Sequence, residues 1–474
     1  MMMGTFRQLN SNSMANKIAH HLQGTNCTSP KHLYQIQAQL ILHNLYPNTT
    51  LASYFISACQ SLGLLQTAFL LYTVNLHRPH TFICNQLLRA FSHSEAHQNS
   101  VSIYSHMHRN CIFPNNYTFP FILKSLSDLR SLQRGQSVHA QIIKLGQLND
   151  IYIHNSLLNL YASCGDMGLC SYVFDEMPQR DVVSWTVIIN GYRECGKFAE
   201  ALTAFEQMRS ADVEPNRVTM VNALAACAGS RALDMGVWIH EFIKRKGWML
   251  DVILGTSLIH MYANCGRIEE GLRAFKCMEE KNVFTWNALI KGFALAENGQ
   301  EAVRWFSKME QEGAKPDDVT LMAVLCACVH SGLVKKGQEI FSSLVHRKYG
   351  FSPGVKHYAC MVDLLSRDGR LEDALRIIEN TPFQATKAIW GAFFSGCRVH
   401  GNLELSEVAA RKLVDLAPKN CAYYIILSNL YAEMGRWDDV EEIRRLMKER
   451  ELKKDSGGSS VEVEYLEDVS RWLA

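Results

Sequence analysis

The feature that most constrains this chain is that it repeats itself. Residues 182–216 (VVSWTVIINGYRECGKFAEALTAFEQMRSADVEPN) and 283–317 (VFTWNALIKGFALAENGQEAVRWFSKMEQEGAKPD) align without a gap over 35 residues. They share Trp185 and Trp286 at the fourth position, Gly191 and Gly292 at the tenth, and Ala201 and Ala302 at the twentieth. Phe205 and Phe306, Met208 and Met309, and Pro215 and Pro316 complete the register. Residues 81–115 keep the same frame through Asn85, Phe91, Met107 and Pro114. A 31-residue unit recurs at 151–181 and 252–282, matched at Tyr161/Tyr262, Gly165/Gly266, Phe174/Phe275 and Met177/Met278. Another 35-residue unit lies at 116–150 and 217–251, where Gly135/Gly236 precede His139/His240 by four residues. A fixed period of this size defines a repeat architecture, in which each unit is one supersecondary element.

Within a unit the apolar residues follow helical spacing: Trp185, Ile188, Ile189 and Tyr192, then Ala201, Leu202, Phe205 and Met208. Gly196 falls where the first helix must stop and Pro215 where the second must stop. Each unit is therefore a helix–turn–helix with one apolar side, which it buries only by stacking on its neighbours. The predicted fold is all-α, a right-handed superhelical α-solenoid whose concave face is lined by the first helices. Length changes its meaning in consequence. A chain of 474 residues would otherwise imply about three domains.

Composition excludes several classes. At 47% hydrophobic and 20% charged, the chain is too apolar for disorder. Its longest apolar runs, such as Leu64 to Tyr72, fall short of the roughly 18 residues that span a bilayer, so no membrane insertion is expected. The fifteen cysteines are scattered with no framework spacing, and most are expected to be small buried apolar residues. No Asp or Glu precedes Glu95, while Arg7, Lys17, Lys31, Arg78 and Arg89 are basic. Such an acid-free start is similar to an organellar transit sequence.

The alternation of 31- and 35-residue units, with Met at the twenty-seventh position and Pro at the thirty-fourth, resembles the plant pentatricopeptide repeat family, PLS subfamily. The resemblance covers residues 14–463. It implies about eleven P, L and S repeats over 14–386, after a possible targeting extension at 1–13. The repeats run L 14–48, S 49–80, P 81–115, L 116–150, S 151–181, P 182–216, L 217–251, S 252–282, P 283–317, and variant L and S repeats at 318–354 and 355–386. Residues 387–420 and 421–463 resemble the two E motifs of the E subgroup, leaving a C-terminal tail at 464–474. The second E motif of the family ends in K-x-P-G-C-S-W-I-E-V. Here Ser456, Gly458 and Ser460 stand where that pattern has Pro, Cys and Trp.

The resemblance further implies single-stranded RNA as ligand, one base per repeat, read by the fifth and last residues. The pairs are Asn85 with Asn115, Asn155 with Asp181, Thr186 with Asn216, Thr256 with Asn282, and Asn287 with Asp317. Ionised Asp only accepts hydrogen bonds and suits a ring nitrogen that carries hydrogen, as in uracil; Asn can donate and suits a bare ring nitrogen. The implied pattern is 5′-(C/U)-n-U-A-n-A-U-3′. Pro120 and Val221 hold the fifth position of two L repeats and have no polar side-chain atom with which to read an edge. Phe82, Tyr152, Val183, Ile253 and Phe284, at the second position, are the apolar residues expected to stack on base faces. Asn, Asp and Thr at a helix start are also common N-caps, and residue type alone does not separate the two roles.

No catalytic constellation is evident. Residues 191–197 match G-x-x-x-x-G-K, but Phe198 replaces the Ser/Thr that would hold magnesium. His93-Ser94-Glu95 matches the H-x-E of zinc deaminases, yet no two cysteines are spaced as C-x-x-C. His240-Glu241 lacks a second His. The chain is expected to be no enzyme and to need no cofactor. The family pattern implies a site-recognition factor for organellar C-to-U RNA editing, with a DYW-type deaminase supplied in trans and multiple organellar RNA editing factor proteins as further partners. The expected compartment is the mitochondrion, with the chloroplast as alternative. Splicing or stability of organellar RNA, and a purely protein-binding scaffold, are the competing functions.

Overall fold

The computed structural model describes residues 14–22, 29–74, 80–450 and Leu452, and every regular element among them is α-helix. None of these helices is long and apolar enough to cross a membrane. The helices fall into two compact units, one ending at Ala226 and one beginning at Cys227. Each unit is a row of antiparallel hairpins. In the first unit these include Thr81–Ser92 with His97–Arg109, Thr118–Asp128 with Leu132–Lys144, Ile151–Ser163 with Met167–Asp175, and Val182–Glu194 with Phe198–Ser210. In the second they include Val252–Asn264 with Ile268–Cys277, Val283–Leu295 with Gly299–Gln311, and Asp318–His330 with Val334–Val345. Three further hairpins follow, Val355–Arg367 with Leu371–Glu379, Lys387–Val399 with Leu403–Leu416, and Cys421–Glu433 with Trp437–Glu449.

The unit boundaries read from the sequence are helix caps. Asp150, Asp181, Asp251, Asn282 and Asp317 each close one unit and accept a backbone N–H from the first turn of the next. Each cap is worth about 1 kcal/mol. First helices end where expected: Gly196 takes a left-handed φ of 72°, and Lys197 N–H closes back on the Tyr192 carbonyl at 2.9 Å. That closure needs a residue tolerant of positive φ. Gly191 has a different reason: a Cβ there would lie 2.9 Å from the Ala162 Cβ, so glycine lets two helices approach. The G-x-x-x-x-G-K stretch is thus a helix and its C-terminal turn.

The second helix stops earlier than Pro215 dictates. It ends at Ser210, and Asp212 turns the chain with φ 56°, the Val213 N–H returning to the Met208 carbonyl at 3.2 Å. Cys111 and Gly313 adopt the same left-handed turn at the matching position of their repeats. Pro215 lies in the extended stretch that leads to the next cap.

Within each unit, first helices pack on the first helices before and after them, and second helices lie behind. Burial follows from that layering. Asp318–His330 buries every residue from Thr320 to Val329, whereas Leu371–Glu379 buries only Leu371, Ala374 and Ile378. The S-to-P joint recurs almost unchanged, with Phe174 edge-on to Trp185 at 4.7 Å and Phe275 edge-on to Trp286 at 4.8 Å. Such ring pairs add about 0.5–1.5 kcal/mol beyond the area they bury. At the L-to-S joint a Cβ on Gly135 would lie 2.4 Å from Leu160 Cδ2, and one on Gly236 2.4 Å from Met261 Sδ. The close approach brings His139 Nδ1 to 2.8 Å from the Tyr161 hydroxyl, and His240 Nδ1 to 2.8 Å from that of Tyr262. Cysteines 59, 84, 170, 227, 326, 328, 360 and 397 are buried, as their scattered placement implied; Cys27 lies outside the described residues.

Candidate nucleic-acid interface

A fifth residue sits one turn into its first helix, and the last residue of the same repeat caps the first helix of the next. Because first helices stack, residues 26 or 30 apart in sequence meet at one end of the layer. Asn85 Nδ2 donates to Asn115 Oδ1 at 3.0 Å, and Asn287 Nδ2 to Asp317 Oδ1 at 2.9 Å. Asn155 Nδ2 reaches both carboxylate oxygens of Asp181, at 3.3 and 3.4 Å. The two threonine pairs meet through a third residue. Thr186 Oγ1 lies 2.7 Å from Thr219 Oγ1, which donates to Asn216 Oδ1 at 3.0 Å. Thr256 Oγ1 lies 2.9 Å from Thr285 Oγ1, which donates to Asn282 Oδ1 at 3.2 Å.

Capping at these positions fixes which polar group each side chain turns outward. The Asn216 amide must turn its oxygen to the Thr219 N–H, at 2.9 Å, which leaves its NH2 as the outward group. Asn282 is held likewise by the Thr285 N–H at 3.1 Å. Asn115 Oδ1 accepts from the N–H groups of Tyr117 and Thr118, both at 3.2 Å. Asp317 takes its N–H contact from Thr320 on Oδ1 at 2.8 Å, so Oδ2 remains an acceptor. A capping Asn thus offers a donor and a capping Asp an acceptor.

The structure adds residues that the sequence analysis passed over. Thr118, Ser184, Thr219, Thr285 and Thr320 are fully buried hydroxyl residues, each three positions past the end of a repeat with a polar fifth residue. Behind Pro120 and Val221 the same place holds Ile153 and Leu254. The signal was a Ser/Thr at that offset after every readable pair and after neither unreadable one. All five second-position residues are exposed, from 40% at Phe82 to 73% at Tyr152, with Val183, Ile253 and Phe284 between them. Tyr117, Val218 and Val319 occupy the second position of L repeats and are also exposed. Isolated exposed apolar residues are ordinary; here they recur at the same register from repeat to repeat.

One turn deeper, His260 and Lys291 hold the ninth position of consecutive repeats. Burial lowers the pKa of both, and the Lys291 charge adds to the lowering at His260. His93 of the H-x-E stretch lies 2.8 Å from Lys124 Nζ and is lowered by burial first and that charge second.

Short polar residues coupled across stacked helical hairpins, with exposed apolar side chains at one register, define a modular repeat protein. Comparison with known proteins agrees. The family model for the PPR repeat family matches residues 180–229 and 281–330, and that for the PPR repeat matches 152–182 and 256–283. The E motif model matches 400–462. Pentatricopeptide repeat-containing protein At5g56310 of Arabidopsis thaliana is 35% identical over 472 residues, spanning 92% of this chain and 88% of its own. The At2g22410 protein of the same plant, named as mitochondrial, is 31% identical and spans 92% of this chain and 84% of its own. CRR2, named as chloroplastic, is 38% identical over 81% of this chain and 59% of its own. The chain belongs to the pentatricopeptide repeat family. Its fold is that of PPR10, whose crystal structure in complex with an 18-nt psaJ RNA element superposes with a TM-score of 0.69 at 14% identity. That match covers 89% of this chain, which spans 64% of the PPR10 chain.

Proposed function

We propose that this chain is a sequence-specific single-stranded RNA-binding protein and the site-recognition factor for an organellar C-to-U editing event. The observation that carries the reading is the coupling of the fifth and last residues, in which the cap decides whether a repeat offers a donor or an acceptor. Asp181 and Asp317 then suit the N3–H of uracil. The amides of Asn216 and Asn282 suit the bare ring nitrogens of adenine, and Asn115 that of cytosine. Second-position side chains flank the base faces, where stacking is worth roughly 1–3 kcal/mol per base. L repeats keep that apolar residue without an edge reader, so they hold a nucleotide and leave its identity open. With a net charge of +2, affinity leans on base contacts more than on phosphate neutralisation.

The E motif match and the RNA in the PPR10 complex support the wider assignment. In this reading the chain is not itself catalytic, and a DYW-type deaminase acts in trans, with multiple organellar RNA editing factor proteins as partners. Relatives named as mitochondrial and as chloroplastic support an organelle, and we assign the mitochondrion.

Binding to an RNA containing 5′-(C/U)-n-U-A-n-A-U-3′ should exceed binding to the same RNA with both adenines changed to guanine. Equal affinity for the two RNAs, or for neither, would overturn the readout. Transcriptome sequencing of a plant lacking the protein should reveal an unedited cytidine; a mis-spliced or depleted transcript with all sites edited would point to RNA processing instead.

A further inference from the structure

Two repeats carry the same Asn/Asp pair, 151–181 and 283–317, yet the pair is supported differently. Thr320 Oγ1 is placed by the Asp317 N–H at 3.1 Å and lies 2.5 Å from Asn287 Oδ1 and 2.8 Å from Asp317 Oδ1. With its oxygen engaged there, the Asn287 amide gives one hydrogen to Asp317 Oδ1 and keeps the other for a ligand. Rotating the amide by half a turn would set its oxygen against the carboxylate, so the orientation is fixed. Thr118 holds Asn85 in the same way, Oγ1 donating to Asn85 Oδ1 at 2.8 Å.

The counterpart after 151–181 is Ser184, and it does not make this contact. Its hydroxyl donates to the Asp181 backbone carbonyl at 2.8 Å, and Asn155 Oδ1 is buried without a partner. The missing methyl is the physical difference. Threonine is stiff at χ1 because Cβ is branched, whereas serine turns readily to a nearby carbonyl. The Asn155 amide then spreads over both Asp181 oxygens and occupies Oδ2, the oxygen that would otherwise be left for a base.

We propose that the buried hydroxyl three residues beyond a repeat is a positioning residue for base recognition, and that Ser184 makes the 151–181 repeat a weaker discriminator than the 283–317 repeat. Thr118, Thr219, Thr285 and Thr320 each touch the fifth residue of the preceding repeat. The inference rests on the RNA reading above, and it assigns an order of selectivity to two repeats that the pair alone would make equal.

The test uses the full chain and three RNAs: one carrying the pattern, one with its first uracil changed to cytosine, and one with its last uracil changed to cytosine. In the unaltered protein the change at the last uracil should cost more affinity than the change at the first. Ser184→Thr should raise discrimination at the first uracil roughly five-fold, the scale of one net hydrogen bond. Thr320→Val should lower it at the last uracil by a similar factor, and Thr320→Ser should bring that position to the level of the first. A general loss of stability would weaken binding to all three RNAs alike, so the ratio at a single nucleotide separates positioning from folding. Ratios unchanged by both Ser184→Thr and Thr320→Val overturn the inference while leaving the reading intact. An unaltered protein that distinguishes uracil from cytosine at neither position overturns the reading and this inference with it. If Thr320→Val does not fold, Ser184→Thr decides alone, since four matching sites already accommodate threonine.

Discussion

The repeats at 81–115 and 116–150 are neighbours in one unit and share a helical-hairpin plan, yet they spend their polar groups in different places. In the first, Asn85, Asn115 and Thr118 form a hydrogen-bonded cluster at the start of the first-helix layer. In the second, Pro120 and the buried Ile153 are apolar and leave the capping Asp150 without a polar fifth residue, and a further polar contact is the His139–Tyr161 bond behind the layer. The repeat at 217–251 copies the second plan with Val221, Leu254 and the His240–Tyr262 bond. One kind of repeat places its hydrogen bonds at the start of the first-helix layer and the other places them at the joint behind it. The variant L repeat at 318–354 keeps the close-packing Gly337 but places Phe341 where the others have His, with its ring 5.1 Å from that of Tyr358.

Converting one plan into the other is the strongest way to break the contrast. Asn85→Val with Thr118→Val gives the 81–115 repeat the chemistry of an L repeat. Its preference for a pyrimidine at the first nucleotide should fall roughly ten-fold, the scale of a good base-edge contact. Competition binding with a purine at that nucleotide checks it, and affinity for the rest of the pattern should hold. The reverse change, Pro120→Asn with Ile153→Thr, pairs a new fifth residue with Asp150 and should create a preference for uracil at the second nucleotide. The gain should be smaller, about three-fold, since Ile153 is a buried packing residue and a hydroxyl there needs its hydrogen bond met. A binding series over all four bases at that nucleotide measures it.

The joints offer the mildest test. Burial lowers the pKa of His139 and His240, so the folded chain favours their neutral form. The unfolded chain takes up protons first as pH falls, so this stability is complete above the ordinary imidazole value of about 6.5 and is lost below it. The unfolding midpoint should drop between pH 7.5 and 5.5. Replacing both histidines by Phe, the residue of the variant L repeat, should remove about 1–2 °C of that drop.

Much of this was legible in the sequence because each unit is locally complete. Trp185, Gly196 and Met208 announce two helices and a turn by spacing alone, and Asp181 and Asn282 mark helix starts by residue type. The second-helix stop was misplaced at Pro215 because the left-handed turn at Asp212 carries no glycine to announce it. Tyr117, Val218 and Val319 are harder to single out, because L repeats lack the polar fifth residue that marks the register.

By itself the sequence determined the repeat period, the helical hairpins and the residue pairs at the fifth and last positions, all set by local periodicity and capping chemistry. Only the tertiary structure decided how those pairs work. Stacking brings Thr118 to Asn85 and Thr320 to Asn287 across 33 residues, and it leaves Ser184 turned away from Asn155 across 29. A hydrogen bond acts over about 3 Å whatever the distance along the chain. The orientation of each of these amides therefore belongs to the packed joint between two repeats, and neither repeat specifies it alone.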